Sequence, residues 1–119
     1  MASLNEVKLI GYIGVDPEIK YSRANEPVTV IALATEDYPA KGQERGKTQW
    51  HRVTFFGKKA EILGKYAKKG SQALLQGRLS YSTYKGQDGK DVYRTDIIGT
   101  DFIFLGTGKK EENNNNGGV

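Results

Sequence analysis

The fold is decided by one stretch of the chain, residues 48–70, which reads TQWHRVTFFGKKAEILGKYAKKG. Up to residue 56 its side chains alternate, with Val53 and Phe55 on one face, and this period of two is typical of a β-strand. From residue 58 the apolar residues follow a helical period, so we predict an amphipathic helix over residues 58–69. Gly70 suits the C′ position that ends such a helix. The stretch therefore predicts one strand that leads directly into one helix.

Strand patterns surround this unit on both sides. Before it, we predict strands over residues 7–13 and 28–34, followed by a polar loop over residues 36–47. After the helix, we predict a strand over residues 71–84 with a bulge near residue 80, a strand over residues 92–98 and a short closing strand over residues 101–105. Three strands, one helix and then further strands are the order of an OB fold. We therefore predict an all-β protein, a five-stranded OB-fold barrel with one helix between strands 3 and 4.

The chain of 119 residues is long enough for one modest hydrophobic core. Its composition changes at Gly106, after which Gly and Asn dominate and apolar residues nearly vanish. Such a segment buries too little surface to order itself. We predict an OB-fold domain over residues 1–105 and a disordered Gly/Asn-rich tail over residues 106–119.

The residue content excludes several classes of site. Cysteine is absent and His51 is the single histidine, so thiolate catalysis, cysteine-based metal centres and paired-imidazole sites are ruled out within one chain. We expect no metal and no cofactor, and His51 is interpreted as a strand histidine hydrogen-bonded at an interface or core edge. The sequence contains no apolar run long enough to span a membrane and no secretory signal pattern. We therefore expect a cytoplasmic protein with no membrane partner.

The charge balance is compatible with a polyanionic partner but does not establish one. The net charge is +4 and the pI is about 9.2. The basic residues are not evenly spread, since five lysines crowd the predicted helix: Lys58, Lys59, Lys65, Lys68 and Lys69.

One strand face combines aromatic and cationic side chains. Trp50, Arg52 and Phe56 share the face of residues 48–56 that lies opposite the core. Aromatics that stack on bases, interleaved with cations that follow phosphates, are the chemistry of single-strand binding. Tyr38 in the long loop and Tyr84 near a hairpin extend the same path. The alternative is that Trp50 and Phe56 pack against a second sheet face or a subunit interface.

Three blocks of sequence resemble the bacterial-type single-stranded DNA-binding protein family. They read NEVKLIGYIGVDPE at residues 5–18, WHRVTFFGKKAE at residues 50–61 and KKGSQALLQGRL at residues 68–79. The blocks occur in the family's order and at its spacing, and the resemblance covers roughly residues 5–105.

The resemblance implies an OB fold, a homotetramer and a non-enzymatic protein that wraps single-stranded DNA without reading its sequence. Such a protein protects replication, repair and recombination intermediates. The family's base-stacking positions fall on Trp50, Phe56, Tyr38 and Tyr84. Its phosphate-contacting positions fall on or near Lys8, Arg52, Lys58 and Lys69, and its interface histidine matches His51.

The resemblance has one departure that affects partners. Cellular bacterial members end in an acidic tip that recruits replication and repair enzymes, whereas this sequence ends NNGGV. We therefore do not expect enzyme recruitment through such a tip. The expected location is the cytoplasm in association with the nucleoid, with a phage, plasmid or organelle origin left open. Two other functions stay open. The first is an RNA-binding OB protein, which a preference for RNA over DNA would distinguish, because the two polymers differ in the 2′-OH. The second is an OB adaptor that binds a protein partner.

Overall fold

The computed structural model describes residues 1–106, which form strands and one short helix. In chain order the elements are β1 (Val7–Ile13), β2 (Lys20–Tyr21), β3 (Pro27–Glu36), β4 (Thr48–Phe56), α1 (Lys58–Tyr66), β5 (Gln72–Lys85) and β6 (Asp91–Gly106). Apart from β2, which was not predicted, and β6, which replaces two predicted strands, these are the predicted elements in the predicted order.

Five strands close into a ring in the order β1, β5, β6, β4, β3. The ring closes because β3 pairs back onto β1, with Tyr12 opposite Ala34 and Ile13 opposite Leu33. All pairings are antiparallel except that of β4 with β6, which is parallel and short. The two-residue β2 only extends the edge of β3. This arrangement confirms the predicted all-β OB fold, with the helix between the third and fourth strands of the ring.

The core lies inside this ring. Alternation along each strand sends one set of side chains inward, where the largest fully buried ones are Phe55, Ile13, Ile31, Leu33, Leu75 and Val53, and Leu63 of α1 joins them. Phe55 meets Phe102 edge to face, with ring centroids 6.0 Å apart. Burial of an apolar side chain of this size contributes roughly 1.5–3 kcal/mol to folding. Because the inward faces are filled, the outward faces remain for function.

Helix α1 covers one end of the core. Ala60 and Leu63 are its buried residues, and the buried hydroxyl of Thr29 on β3 donates a 2.7 Å hydrogen bond to the carbonyl of Ala60. The bond satisfies a hydroxyl that would be costly to bury alone. It fixes the helix against β3, and therefore against the end of β4.

The predicted end of the helix is wrong by about one turn. Helix α1 ends at Tyr66, and Ala67 already has an extended backbone with ψ 138°. Long-range bonds hold the next residues: the Lys69 N–H donates to Asp16 Oδ1 at 2.7 Å, and the Gly70 N–H donates to the Ile13 carbonyl at 2.8 Å. Gly70 does have a positive φ of 89°, but it serves a turn after the helix rather than the C′ position.

The last strand is longer than predicted, whereas β5 has the predicted length, displaced by one residue. The segments predicted over residues 92–98 and 101–105 form the single strand β6. The register between β5 and β6 shifts at Gln72/Ala73 and at Gln76/Gly77, so the bulge expected near residue 80 lies earlier. Beyond these shifts, residues 80–85 and 91–96 pair with each other and with no other strand of residues 1–106. We call this two-stranded projection the hairpin arm.

The predicted tail falls almost entirely outside the described residues. Gly106 is the last residue of β6, and residues 107–119 are not described. Within residues 1–106, no helix is both long enough and apolar enough to cross a membrane.

Candidate nucleic-acid interface

The outward face of β4 presents the predicted aromatic and cationic side chains to solvent. Trp50 is 61% exposed and Phe56 is 42% exposed, and Arg52 between them is also exposed. On the inward face, Val53 and Phe55 are fully buried. Strand alternation therefore divides core residues from site residues as predicted, and Trp50 and Phe56 do not pack inside the core of this chain.

Strand β3 places small side chains beside the exposed rings of β4. Its register against β4 sets Ala34 opposite Trp50, Ala32 opposite Arg52, Val30 opposite Thr54 and Val28 opposite Phe56. Paired residues share a sheet face, so small side chains lie next to each large one. A planar group can therefore approach the rings from the β3 side without meeting a bulky neighbour.

Gly14, just after β1, makes room for the Trp50 ring. A Cβ atom placed on Gly14 would collide with Cζ3 and Cη2 of Trp50. Gly14 is not among the described glycines with a positive φ, so its role here is space rather than backbone conformation. The indole thus lies against the backbone that follows β1 while its remaining surface stays exposed.

A groove of about 530 Å³ opens between β4 and the hairpin arm. Its wall on β4 carries Trp50 and Arg52, and its wall on β6 carries Arg94 and Asp96. The groove exists because β4 and β6 pair over two positions only, Val53–Ile97 and Thr54–Ile98. Before those positions the two parallel strands diverge and leave their outward side chains facing a common space.

A second groove of about 250 Å³ adjoins the first. Arg52 and Val30 line both grooves, so the two grooves are adjacent on the sheet. The second groove extends over Val28, the β3 partner of Phe56, and reaches Asp16. Phe56 itself lines neither groove, but it shares the exposed face of β4 with Trp50 and with Arg52 between them.

The hairpin arm brings Tyr84 to the same side as the first groove. One face of the arm carries Ser80, Ser82, Tyr84, Val92, Arg94 and Asp96. The opposite face carries Tyr81, Thr83, Lys85, Asp91, Tyr93 and Thr95. Tyr84 is 53% exposed and shares its face with Arg94, which lines the groove beside Trp50.

Tyr38 lies at the base of the long loop between β3 and β4 and is 98% exposed. Polar contacts close that base: the Asp37 N–H donates to the Lys47 carbonyl at 2.9 Å, and the Gln49 side chain donates to the Asp37 carboxylate at 2.9 Å. These two hydrogen bonds hold the backbone of Asp37. The backbone of the next residue, Tyr38, therefore lies near the end of β4 that carries Trp50.

The predicted phosphate-binding lysines are not all brought together. Lys58 begins α1 two residues after Phe56, and the backbone of Lys69 is tied to Asp16 at the rim of the second groove. Lys8 is exposed on β1, 3.9 Å from the carboxylate of Glu6, and it lines neither groove. Lys58 and Lys69 thus flank the path, whereas Lys8 stands apart from both grooves.

His51 is partly buried on the inward side of β4. Its Nε2 lies 2.8 Å from the hydroxyl of Thr35 on β3, a hydrogen-bonded pair that fits the predicted strand role. Within residues 1–106, no cluster of three or more His, Asp or Glu side chains is arranged to hold a metal ion.

Sequence reasoning missed two residues of this site, Arg94 and Gly14. Arg94 reaches the groove beside Trp50 only because β6 pairs with β4. The sequence pattern around Arg94 does not predict that pairing. Gly14 follows a strand, and the collision that demands a glycine is with a residue 36 positions away along the chain.

The sequence has close relatives among single-strand binding proteins. A family model described as the single-strand binding protein family matches residues 4–105. The chain is 46% identical over 107 residues to a single-stranded DNA-binding protein of Xanthomonas campestris, which covers 87% of this chain and 61% of that protein. It is 41% identical over 117 residues to single-stranded DNA-binding protein 1 of Xylella fastidiosa, covering 96% of this chain and 85% of the relative.

A solved structure shares the fold. A structure described as the Plasmodium falciparum SSB complex with ssDNA superimposes with a TM-score of 0.76 at 30% sequence identity, covering 88% of this chain and 97% of the other. Against three of the curated relatives, the chain spans 58%, 61% and 64% of their length.

An OB fold whose open sheet face carries aromatic and cationic side chains is typical of nucleic-acid-binding proteins. The family match over nearly all of the described residues makes the assignment more specific: this chain belongs to the single-strand binding protein family. Membership of that family bears out the prediction of a binding protein rather than an enzyme.

Proposed function

We propose that this protein binds single-stranded DNA without reading its sequence and protects replication, repair and recombination intermediates. The observation that carries the proposal is the exposed row of Trp50, Arg52 and Phe56 on β4, beside two adjacent grooves that Arg52 lines and one of which Trp50 lines. The relatives named single-stranded DNA-binding proteins and the SSB structure solved with ssDNA support the same activity.

The mechanism combines stacking with phosphate contacts. Every base has a π face, so bases of any sequence stack on Trp50 and Phe56, at about 1–3 kcal/mol per base. Tyr38 and Tyr84 extend the row at the loop and at the arm. Arg52, Lys58 and Lys69 neutralise phosphates along it, and the release of counterions makes the affinity fall as salt rises. Bases inside a duplex are already stacked on one another, so the surface selects single strands.

We also propose that the protein works as a homotetramer. An outward apolar patch supports self-association: Ile10 on β1 is 56% exposed and Ile103 on β6 is 52% exposed, and both are in register with Leu74 of β5. A patch of this kind on a sheet marks an interaction surface.

Lys8 is exposed on the same strand as Ile10, and we retain it as a candidate phosphate contact. His51 is the candidate interface histidine, and the proposed location is the cytoplasm.

A competition experiment tests the activity. Fluorescence anisotropy of a labelled oligo-dT should rise on addition of the protein and should fall again with unlabelled oligo-dT. A duplex of the same length should compete far less well. Equal competition by oligo-U would instead favour an RNA-binding protein, because the 2′-OH is what separates the two polymers. Absence of binding to any of these polymers would contradict the proposal.

A further inference from the structure

We propose that Arg94 binds a backbone phosphate of the single strand and that Asp96 positions its guanidinium group for this contact. The inference rests on the proposed single-strand binding and adds two residues to the site. Neither residue belongs to the aromatic row on β4 or to the lysines that flank it. Both lie on β6, across the first groove from Trp50.

The guanidinium of Arg94 is held at one nitrogen only. Its Nε donates a 2.9 Å hydrogen bond to Asp96 Oδ1, two residues along the same strand face. Within residues 1–106, no hydrogen bond engages the two terminal nitrogens of Arg94. A guanidinium with both terminal N–H groups available presents the planar fork that binds phosphate oxygens in pairs.

The other arginine held by a carboxylate shows the contrast. Arg45, in the long loop, gives both Nε and Nη2 to the same Glu36 oxygen, at 3.1 and 2.9 Å. That pairing occupies two of its donors at once. Arg94 is therefore the arginine of the two that is oriented yet still has both terminal nitrogens available.

The location of Arg94 fits a phosphate that follows a stacked base. Trp50 and Arg94 line opposite walls of one groove, so Arg94 faces the space beside the indole, which has room for the sugar and phosphate of a stacked base. On the arm, Arg94 shares its face with Tyr84, the next candidate stacking residue. The cation thus stands between two aromatic platforms, as tracking of the backbone requires.

The hairpin arm provides its own control on the opposite face. Lys85 and Asp91 form an ion pair there, with Nζ 2.6 Å from Oδ1, and neither residue lines the groove. Three of the four side chains are exposed and Asp96 is half-buried, so both ion pairs lie at the surface and contribute little to folding stability. Matched substitutions in the two pairs change the net charge equally and lie on opposite faces of the arm.

The test compares Arg94→Gln with Lys85→Gln in the full-length protein, by titration of labelled oligo-dT over a salt series. Arg94→Gln should weaken binding about tenfold at low salt, because it removes a charge-assisted contact. The plot of log K against log salt has a negative slope. Arg94→Gln should make this slope less steep by about 0.7, the value for one phosphate on a single strand. Lys85→Gln should change the affinity less than about twofold, the level expected of a surface charge without a specific contact.

A second pair of variants isolates the role of Asp96. If this carboxylate positions Arg94, Asp96→Ala should weaken binding about threefold even though it makes the protein more positive, since the ordered fork is lost. Asp91→Ala, with the same charge change on the opposite face, should leave binding nearly unchanged. Stronger binding by Asp96→Ala would mean that the carboxylate only repels DNA, and would overturn its positioning role.

The results separate this inference from the proposed function. If the unsubstituted protein binds oligo-dT and Arg94→Gln behaves like Lys85→Gln in both affinity and salt slope, the inference about Arg94 fails and single-strand binding stands. If the unsubstituted protein does not bind oligo-dT, both fail. Arg94→Lys keeps the charge but lacks the fork, and it should keep the salt slope while losing part of the affinity.

Discussion

The indole of Trp50 lies directly against the backbone of Gly14, so closely that no side chain fits between them. Gly14 follows β1 and Trp50 lies near the start of β4, and these two strands are not neighbours in the ring. The contact therefore supports one side of an otherwise exposed ring and sets its orientation. A ring supported in this way loses little conformational freedom when a base stacks on it.

Gly14→Ala should displace the Trp50 ring and weaken single-strand binding by up to about 1–3 kcal/mol, the contribution of one stacked base. Gly14 is not among the described glycines with positive φ, so the backbone itself tolerates alanine. The binding of labelled oligo-dT and the tryptophan emission spectrum of the free protein measure the two effects. Both should change together.

Gly106→Ala is the matched control for this substitution. A Cβ atom at Gly106 would have its nearest neighbour at 4.0 Å, an ordinary contact. It should leave both the emission and the affinity as they are in the unsubstituted protein. An unchanged emission spectrum and an unchanged affinity in Gly14→Ala would show that the glycine does not set the position of Trp50.

Trp50→Ala and Phe56→Ala should each weaken oligo-dT binding by about 1–3 kcal/mol while changing the stability of the fold much less. The asymmetry follows from exposure, since Trp50 is 61% and Phe56 42% exposed and neither belongs to the buried core. Anisotropy titrations and urea unfolding measure the two quantities separately. An affinity that survives both substitutions would remove these residues from the site.

The two faces of the hairpin arm should differ in their effect on binding. Tyr84→Ala should weaken binding on the same stacking scale, about 1–3 kcal/mol, because Tyr84 shares a face with the groove residue Arg94. Tyr93→Ala removes an equally large ring, 79% exposed, from the opposite face and should have little effect. Equal losses in parallel titrations would mean that the path of the strand does not follow one face of the arm.

Much of the fold can be predicted from local pattern. Strand β4 spans Thr48–Phe56 as predicted, because one filled and one solvated face produce a strict alternation. The end of α1 cannot be found in the same way. It depends on the Asp16 carboxylate and the Ile13 carbonyl, which accept bonds from Lys69 and Gly70 across a long separation in sequence.

The site residues also fall into those that local pattern predicts and those that depend on contacts between distant segments. Trp50, Arg52 and Phe56 share a strand, so a period of two was enough to place them on one face. Arg94 and Gly14 join Trp50 only through the closed ring, and nothing in their own neighbourhoods indicates it. The two-residue strand β2 was missed because so short a segment has no period to detect.

Thr29→Val should destabilise the fold by about 1 kcal/mol, because it removes the buried hydrogen bond from the Thr29 hydroxyl to the Ala60 carbonyl. Urea unfolding measures the change. Thr83→Val, on the exposed hairpin arm, is the control and should stay within about 0.5 kcal/mol of the unsubstituted protein. Equal stabilities for the two variants would mean that the buried bond does not hold α1 on β3.

Trp50 is the only tryptophan in the chain, so its fluorescence tests the central claim most directly. Titration with oligo-dT should quench the emission strongly as bases stack on the indole, a duplex of the same length should quench it weakly, and added salt should reverse the effect. Saturating oligo-dT that binds by anisotropy yet leaves the emission unchanged would contradict stacking on Trp50, and with it the account of the site.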